Sequence, residues 1–232
     1  MISSFIAEAE SAPDELSTIV NVMTAPPMPF LPEEYHGKPV VMVFIVYAGD
    51  AATGESVIAP FRALAEPLAD MLRPMKYPEI YQPEQEGYHP VAAGRTMFMD
   101  FIDRSVAETI LDHIKTSTGS MAVAQLRVLG GAMARIPIDA TAFAHRKSRI
   151  MVNVAALYDQ PDQKATHEAW VKNFAAALKQ SDNGAYVNFL GNVEEADIRA
   201  AYPGPTWDRL TAIKSRYDPT NLFRLNQNIP PK

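Results

Sequence analysis

The sequence predicts an α+β domain: one mostly antiparallel sheet with helices packed on a single face. Three observations carry this. Short β-branched or alternating runs are bounded by turn signals, amphipathic helical stretches fall between them, and 47 % apolar residues in a chain of 232 can bury a sizeable core. The same composition narrows function. A net charge of −6, a pI near 5.4 and no Lys/Arg run argue against nucleic acid and against an anionic membrane surface as partners. No apolar stretch reaches the length of a membrane span, and MISSFIAEAE lacks a basic segment followed by an apolar core, so a cytoplasmic location is expected. Without cysteine there are no disulfides, thiolate metal sites or cysteinyl cofactor links. The five histidines, at 36, 89, 113, 145 and 167, show no metal-ligand spacing.

Taken in order, ISSFIAEAES reads as a helix, followed by strands LSTIVNVM (16–23) and PVVMVFIVYA (39–48). Proline clusters at 26–32 and 74–90 read as surface connections, with a helix from about 52 to 72 between them. TMFMDF (96–101) is the next strand and SVAETILDHIKTS (105–117) the next helix. MAVAQLRVLGG (121–131) is a strand ended by Gly130-Gly131, a pair suited to a turn or bulge. Strand SRIMVNVAALY (148–158) precedes helix KATHEAWVKNFAAALKQ (164–180), in which Trp170, Val171, Phe174, Ala175 and Leu178 share one stripe. GAYVNFL (184–190) reads as a sixth strand, and EEADIRAAY (194–202) and TWDRLTAIKSRY (206–217) as closing helices. Arg209, Lys214 and Arg216 are expected near the negative end of the last helix, which Asp218-Pro219 stops. Asn221 is suited to an Asx-type turn, and Asn226, Gln227 and Asn228 offer amides along an extended run into Pro230-Pro231.

Side chains alternate along a strand, so the three late strands show what each sheet face presents. Ala124, Leu126 and Val128 point one way, and Gln125 and Arg127 the other. Ile150, Val152 and Val154 oppose Arg149, Met151 and Asn153, and Val187 and Phe189 oppose Tyr186 and Asn188. Helices would cover the apolar face. A solvated second face ordinarily carries Lys, Glu and Thr; this one carries Gln125, Arg127, Asn153, Tyr186 and Asn188, groups suited to orienting a ligand.

Several stretches carry a family likeness: LRVLGGAMARIPIDATAFAHR, Y-x-N-F at Tyr186 to Phe189, A-Y-x-G at Ala201 to Gly204, R-L-x-x-I-K at Arg209 to Lys214, and Y-D-P-x-N-x-F at Tyr217 to Phe223 with a terminal N-Q-N-I-P-P. Together they resemble the C-terminal half of the berberine-bridge-enzyme-like FAD-linked oxidoreductases. The resemblance implies a substrate-binding domain over residues 1–216 and a tail, 217–232, that in the family helps complete the flavin domain. That N-terminal domain, with its glycine-rich pyrophosphate loops, has no counterpart in these residues, and no G-x-G-x-x-G or P-loop is present.

The resemblance also implies roles. FAD would accept a hydride from a small-molecule substrate while Tyr186, matching the family's catalytic tyrosine, takes a proton. A phenol ionises near pH 10 in water, so that role calls for a neighbouring cation, and Arg127 is the candidate by facing. Asn188, Gln125, Arg127 and Asn153 are the substrate- or flavin-facing residues, and Asn221, Gln227 and Asn228 the cofactor-binding ones; His145-Arg146 is expected to pin a loop. Alone, the chain is expected to bind FAD weakly or not at all and to act with a flavin domain in trans. Self-association through the open face or the tail is expected as well. The alternative is a stand-alone α+β binding or interaction module that has lost flavin chemistry.

Overall fold

The structure, a computed structural model, describes residues 1–81, 91–191 and 195–232; His89 and the end of the second proline-rich connection lie outside them. Five strands form one sheet: β1 (Leu16–Thr24), β2 (Pro39–Tyr47), β3 (Val91–Met99), β4 (Met121–Val128) and β5 (Ile150–Tyr158). Their order is β2-β1-β4-β5-β3, with every neighbouring pair antiparallel. Among the described residues the helices are α1 (Ile2–Ser11), α2 (Ala51–Arg62), α3 (Arg104–Thr116), α4 (Gly131–Ala134), α5 (Lys164–Leu178), α6 (Glu195–Ala201) and α7 (Pro205–Tyr217).

Alternation decides which face the helices cover. Val20 and Val22, then Ala122, Ala124 and Leu126, then Ile150, Val152, Val154 and Ala156 are fully buried. Phe5 of α1, Ile110 and Ile114 of α3, and Phe174 and Leu178 of α5 pack on them as one apolar cluster. The stripe expected on α5 is the stripe that docks, at about 1.5–3 kcal/mol for each large side chain removed from water. Small residues at 122, 124 and 156 leave room for the helices. Asp103 caps α3 by accepting from Val106 N at 2.9 Å, and Asp50 caps α2 by accepting from Thr53 N at 2.9 Å.

The structure corrects several expectations. The helix expected over 52–72 ends at Arg62, because Pro60 weakens its last turn and Pro67 forces the preceding residue out of the α region. GAYVNFL is not a sixth strand. Phe189 N donates to Tyr186 O at 3.0 Å and Leu190 N to Val187 O at 3.1 Å, which makes Val187–Phe189 a single 3₁₀ turn. The glycine pair does end β4, at φ 155° for Gly130 and 53° for Gly131, conformations that favour glycine. Arg149, one residue ahead of β5, leaves the open face and pairs with Glu10 of α1 at 2.6 Å. Arg209 lies in the first half of α7, where it donates to the Asp139 carbonyl at 3.0 Å instead of serving the helix C-terminus.

Candidate functional site

The face opposite the helices carries a polar row running across the strands. Register places Asn21 of β1 opposite Gln125 of β4, Gln125 opposite Asn153 of β5, and Asn153 opposite Thr96 of β3. Gln125 Nε2 donates to Asn21 Oδ1 at 3.0 Å, and Asn21 Nδ2 to the Met42 carbonyl at 3.4 Å. Thr96 Oγ1 is buried without a hydrogen-bond partner. Alternation foresaw Gln125 and Asn153 on this face. It missed Asn21 and Thr96; the available signal was a lone amide inside the β-branched run LSTIVNVM.

One row further along, Arg127 pairs in register with Met151, and Met151 with Phe98. There the segment from Gly131 to Arg146 and the Tyr186–Phe189 turn close over the sheet and leave a cleft of about 660 Å³. Arg127, Met151, His145, Tyr186, Asn188 and Tyr202 are among its lining residues. Asn188 Nδ2 donates to Tyr186 Oη at 2.9 Å. Tyr186 is extended (φ −101°, ψ 113°) and caps the turn that holds Asn188, so the two side chains meet here without the strand that alternation assigned to them. The Arg127 guanidinium lies 5.0 Å from the centre of the Phe189 ring, and its Nη1 is buried with no hydrogen-bond partner. Burial pulls the Arg127 pKa down, and the adjacent Tyr186 partly opposes this. Burial likewise pushes the Tyr202 phenol up.

The outer wall of the cleft is pinned by His145 and Arg146. Arg146 donates to the carbonyls of Phe143 (3.1 Å) and Met133 (3.3 Å) and to Thr141 Oγ1 (2.8 Å). His145 is buried between the sheet and α6: its ring stacks on Phe98 at 4.4 Å, and Nε2 donates to the Ala201 carbonyl at 3.1 Å. Desolvation holds its pKa below the usual 6.5, outweighing the Ala201 hydrogen bond and the charge of Asp182. Gly184 makes this packing possible. A Cβ there would lie 2.5 Å from His145 Cε1 and 2.9 Å from Phe98 Cδ2.

The tail folds back on α7. Asp218, held below the usual carboxylate range chiefly by Lys214, accepts from Lys214 Nζ (2.5 Å), Leu222 N (2.7 Å) and Phe223 N (3.1 Å). The turn role expected of Asn221 thus falls to Asp218, and Asn221 instead supplies the left-handed position at φ 54°. Gln227 Nε2 donates to the Leu190 carbonyl at 2.6 Å, tying the tail to the turn that carries Tyr186. Asn221 Oδ1 and Asn228 Oδ1 are buried acceptors without donors. The structure therefore ties Gln227 to the end of the turn that Tyr186 opens and leaves Asn221 and Asn228 with unused acceptors.

Among the described residues no cluster of three or more potential ligands could hold a metal ion, and no helix is long and apolar enough to cross a membrane.

Residues 185–230, which hold Tyr186, Asn188, α7 and most of the tail, match the family model "Berberine and berberine like". An FAD-linked oxidoreductase of Bacillus subtilis, YgaK, is 30 % identical over 135 residues, covering 56 % of this chain and 30 % of that protein. The solved 6-hydroxy-D-nicotine oxidase of Arthrobacter nicotinovorans superposes with a TM-score of 0.78 at 19 % identity, over 99 % of this chain and 51 % of that one. A glycopeptide hexose oxidase solved with teicoplanin gives a TM-score of 0.74 at 21 % identity, over 99 % and 50 %. The two structural likenesses show the shared fold, and the chain spans about half the length of each.

Proposed function

From the family-model match over residues 185–230 and the 30 % identity to an FAD-linked oxidoreductase, we propose that the chain belongs to the berberine-bridge-enzyme-like FAD-linked oxidoreductases and is the substrate-binding part of an FAD-dependent oxidoreductase acting on a small organic molecule. The observation that carries this is Tyr186 Oη in the cleft, accepting from Asn188 beside Arg127, which no carboxylate among the described residues pairs.

The residues fit one part of FAD and not another. Thr96 Oγ1 is buried without a partner beside the amides of Gln125 and Asn153, a set suited to the edge of a flat, heteroatom-rich ring. Nothing in the 232 residues resembles a glycine-rich loop for a pyrophosphate. Bound against this face, FAD would supply a hydride acceptor. This chain's own residues do the rest. Tyr186 Oη takes the proton from the substrate's hydroxyl or amine, and the Asn188 amide and the Arg127 charge stabilise the anionic oxygen from which it acts. Phe143, Phe189 and Met151 wall the cleft and limit water around that oxygen. Leu222, Phe223 and Leu225 in the tail are 68 to 85 % exposed, which suits a surface that docks on a flavin domain.

The test is Tyr186→Phe, made in the longer protein or with a flavin domain supplied in trans. Turnover should fall roughly 10²- to 10⁴-fold with little change in substrate affinity. An unchanged rate moves the base elsewhere, and flavin-independent ligand binding with no turnover would favour a stand-alone binding module.

A further inference from the structure

A buried cation ordinarily sits beside an anion, because removing a charge from water costs several kcal/mol unless a partner offsets it. Arg127 has none. Its Nη1 makes no hydrogen bond, and among the described residues no carboxylate pairs with the guanidinium. The described residues lining the cleft include Arg127, Arg146 and His145 but neither aspartate nor glutamate, in a protein whose net charge is −6. Asp182, the carboxylate acting on His145, is already engaged by Ser148 Oγ at 2.6 Å and Gly184 N at 2.7 Å. Arg146 spends its donors on the loop it pins. One cation therefore faces the cleft with unused donors.

We propose that the cleft recognises a substrate carrying a carboxylate, held by Arg127, while the carbon to be oxidised lies at Tyr186. This rests on the cleft being the substrate site. The guanidinium lies 5.0 Å from the Phe189 ring centre, a contact that holds it at the cleft wall, and a guanidinium fork is the donor arrangement that a planar carboxylate fills. A phosphate dianion suits the site less well. It asks for more donors than one guanidinium edge supplies, and its neighbours here are Met133, Phe143, Met151 and Leu129. The same apolar walls favour an aromatic or conjugated acid over a polyhydroxylated neutral sugar.

The test is a titration of the 232-residue chain, isotope-labelled for backbone amide shifts, with benzoate, its neutral isostere benzamide, and inorganic phosphate. Benzoate is expected to bind at least tenfold more tightly than benzamide, to move the amides of Arg127 and of residues 186–189, and to keep that preference from pH 6 to 9, since a guanidinium stays charged throughout. Arg127→Gln should abolish the preference and Arg127→Lys should retain part of it. The wild-type comparison of benzoate with benzamide stands even if neither variant folds. Equal affinity for the two at the same amides would overturn the inference and leave the cleft as the substrate site. Benzoate shifts outside the cleft would overturn both. Phosphate binding as tightly as benzoate would overturn the carboxylate assignment, and a preference surviving in Arg127→Gln would assign the recognition to another group.

Discussion

Replacing Arg146 with methionine keeps an unbranched apolar stem but removes the guanidinium, which lies over the Phe143 ring, and with it all three donors that hold the outer wall of the cleft. Charge-assisted hydrogen bonds contribute about 1.5–3 kcal/mol each when sheltered, and exposed ones contribute little. The bonds to Phe143 O and Met133 O are part-buried and the one to Thr141 is exposed. Water can reach the freed carbonyls, so the lower end of the range applies to two bonds and almost nothing to the third, giving a loss of about 3 kcal/mol. Against a total of about 5–15 kcal/mol that is a large fraction. With a urea m-value of about 3 kcal/mol/M the midpoint should fall by about 1 M. Equilibrium urea unfolding of wild type, Arg146→Met and Arg146→Lys measures it, and limited proteolysis within residues 134–146 separates local release of the wall from global loss. Lysine, a point donor without the fork, should recover less than half. An Arg146→Met midpoint within about 0.2 M of wild type, with the segment still protected, would refute the pinning argument.

The buried His145 implies a pH effect. Its folded pKa lies below 6.5, so the unfolded chain binds more protons below that pH; stability is full above about pH 6.5 and falls as pH drops towards the folded pKa, at up to about 1.4 kcal/mol per pH unit. Unfolding titrations of wild type and His145→Gln between pH 7 and 5 should differ in slope in that direction, and parallel curves would contradict it. Gly184→Ala should lower stability by about 2 kcal/mol or more, since the new methyl displaces His145 and Phe98; thermal melts matching wild type would mean that the segment shifts freely. The dialysed chain should show no flavin absorbance, and retention of stoichiometric flavin after dialysis would show that the open face and tail suffice for binding. Light scattering over a wide dilution range should reveal self-association that weakens when the chain ends at Arg216, because Leu222, Phe223 and Leu225 leave with the tail; dilution-independent monomers would refute it.

The antiparallel sheet with helices on one face was legible because the strand period is 2 and one face must be apolar, so Gln125, Arg127 and Asn153 could be assigned to a common surface from MAVAQLRVL and SRIMVNVAALY alone. The Tyr186 turn was not legible. Alternation across GAYVNFL reads as a strand, while the turn is set by its own hydrogen bonds and by the close approach of His145 to Gly184, a contact between residues 39 positions apart. Asn21 was overlooked because its environment made the whole run read as apolar. The pinning role of His145-Arg146 was inferred from the resemblance, and the hydrogen bonds supply its mechanism. The partner of Arg209, the carbonyl of Asp139, lies on a segment without periodicity and could not be read from spacing.

The polar row also bears on how the chain finds its pairing. β1 and β2 are joined over nine residue pairs, but β1 meets β4 over only four, from Val20↔Leu126 to Met23↔Val123. So short a ladder is the seam at which the sheet could slide. Shifting β4 by one residue would carry Gln125 and Arg127 into the hydrocarbon beneath the helices and turn Ala124 and Leu126 outward. An amide sheltered without partners costs about 1–3 kcal/mol and a guanidinium more, so a slipped sheet would lose much of the stability that a domain of this size has. The Asn21–Gln125 hydrogen bond then marks the one alignment in which both amides are satisfied. The polar groups of the open face thereby act, during folding, as the teeth that keep the strands in step.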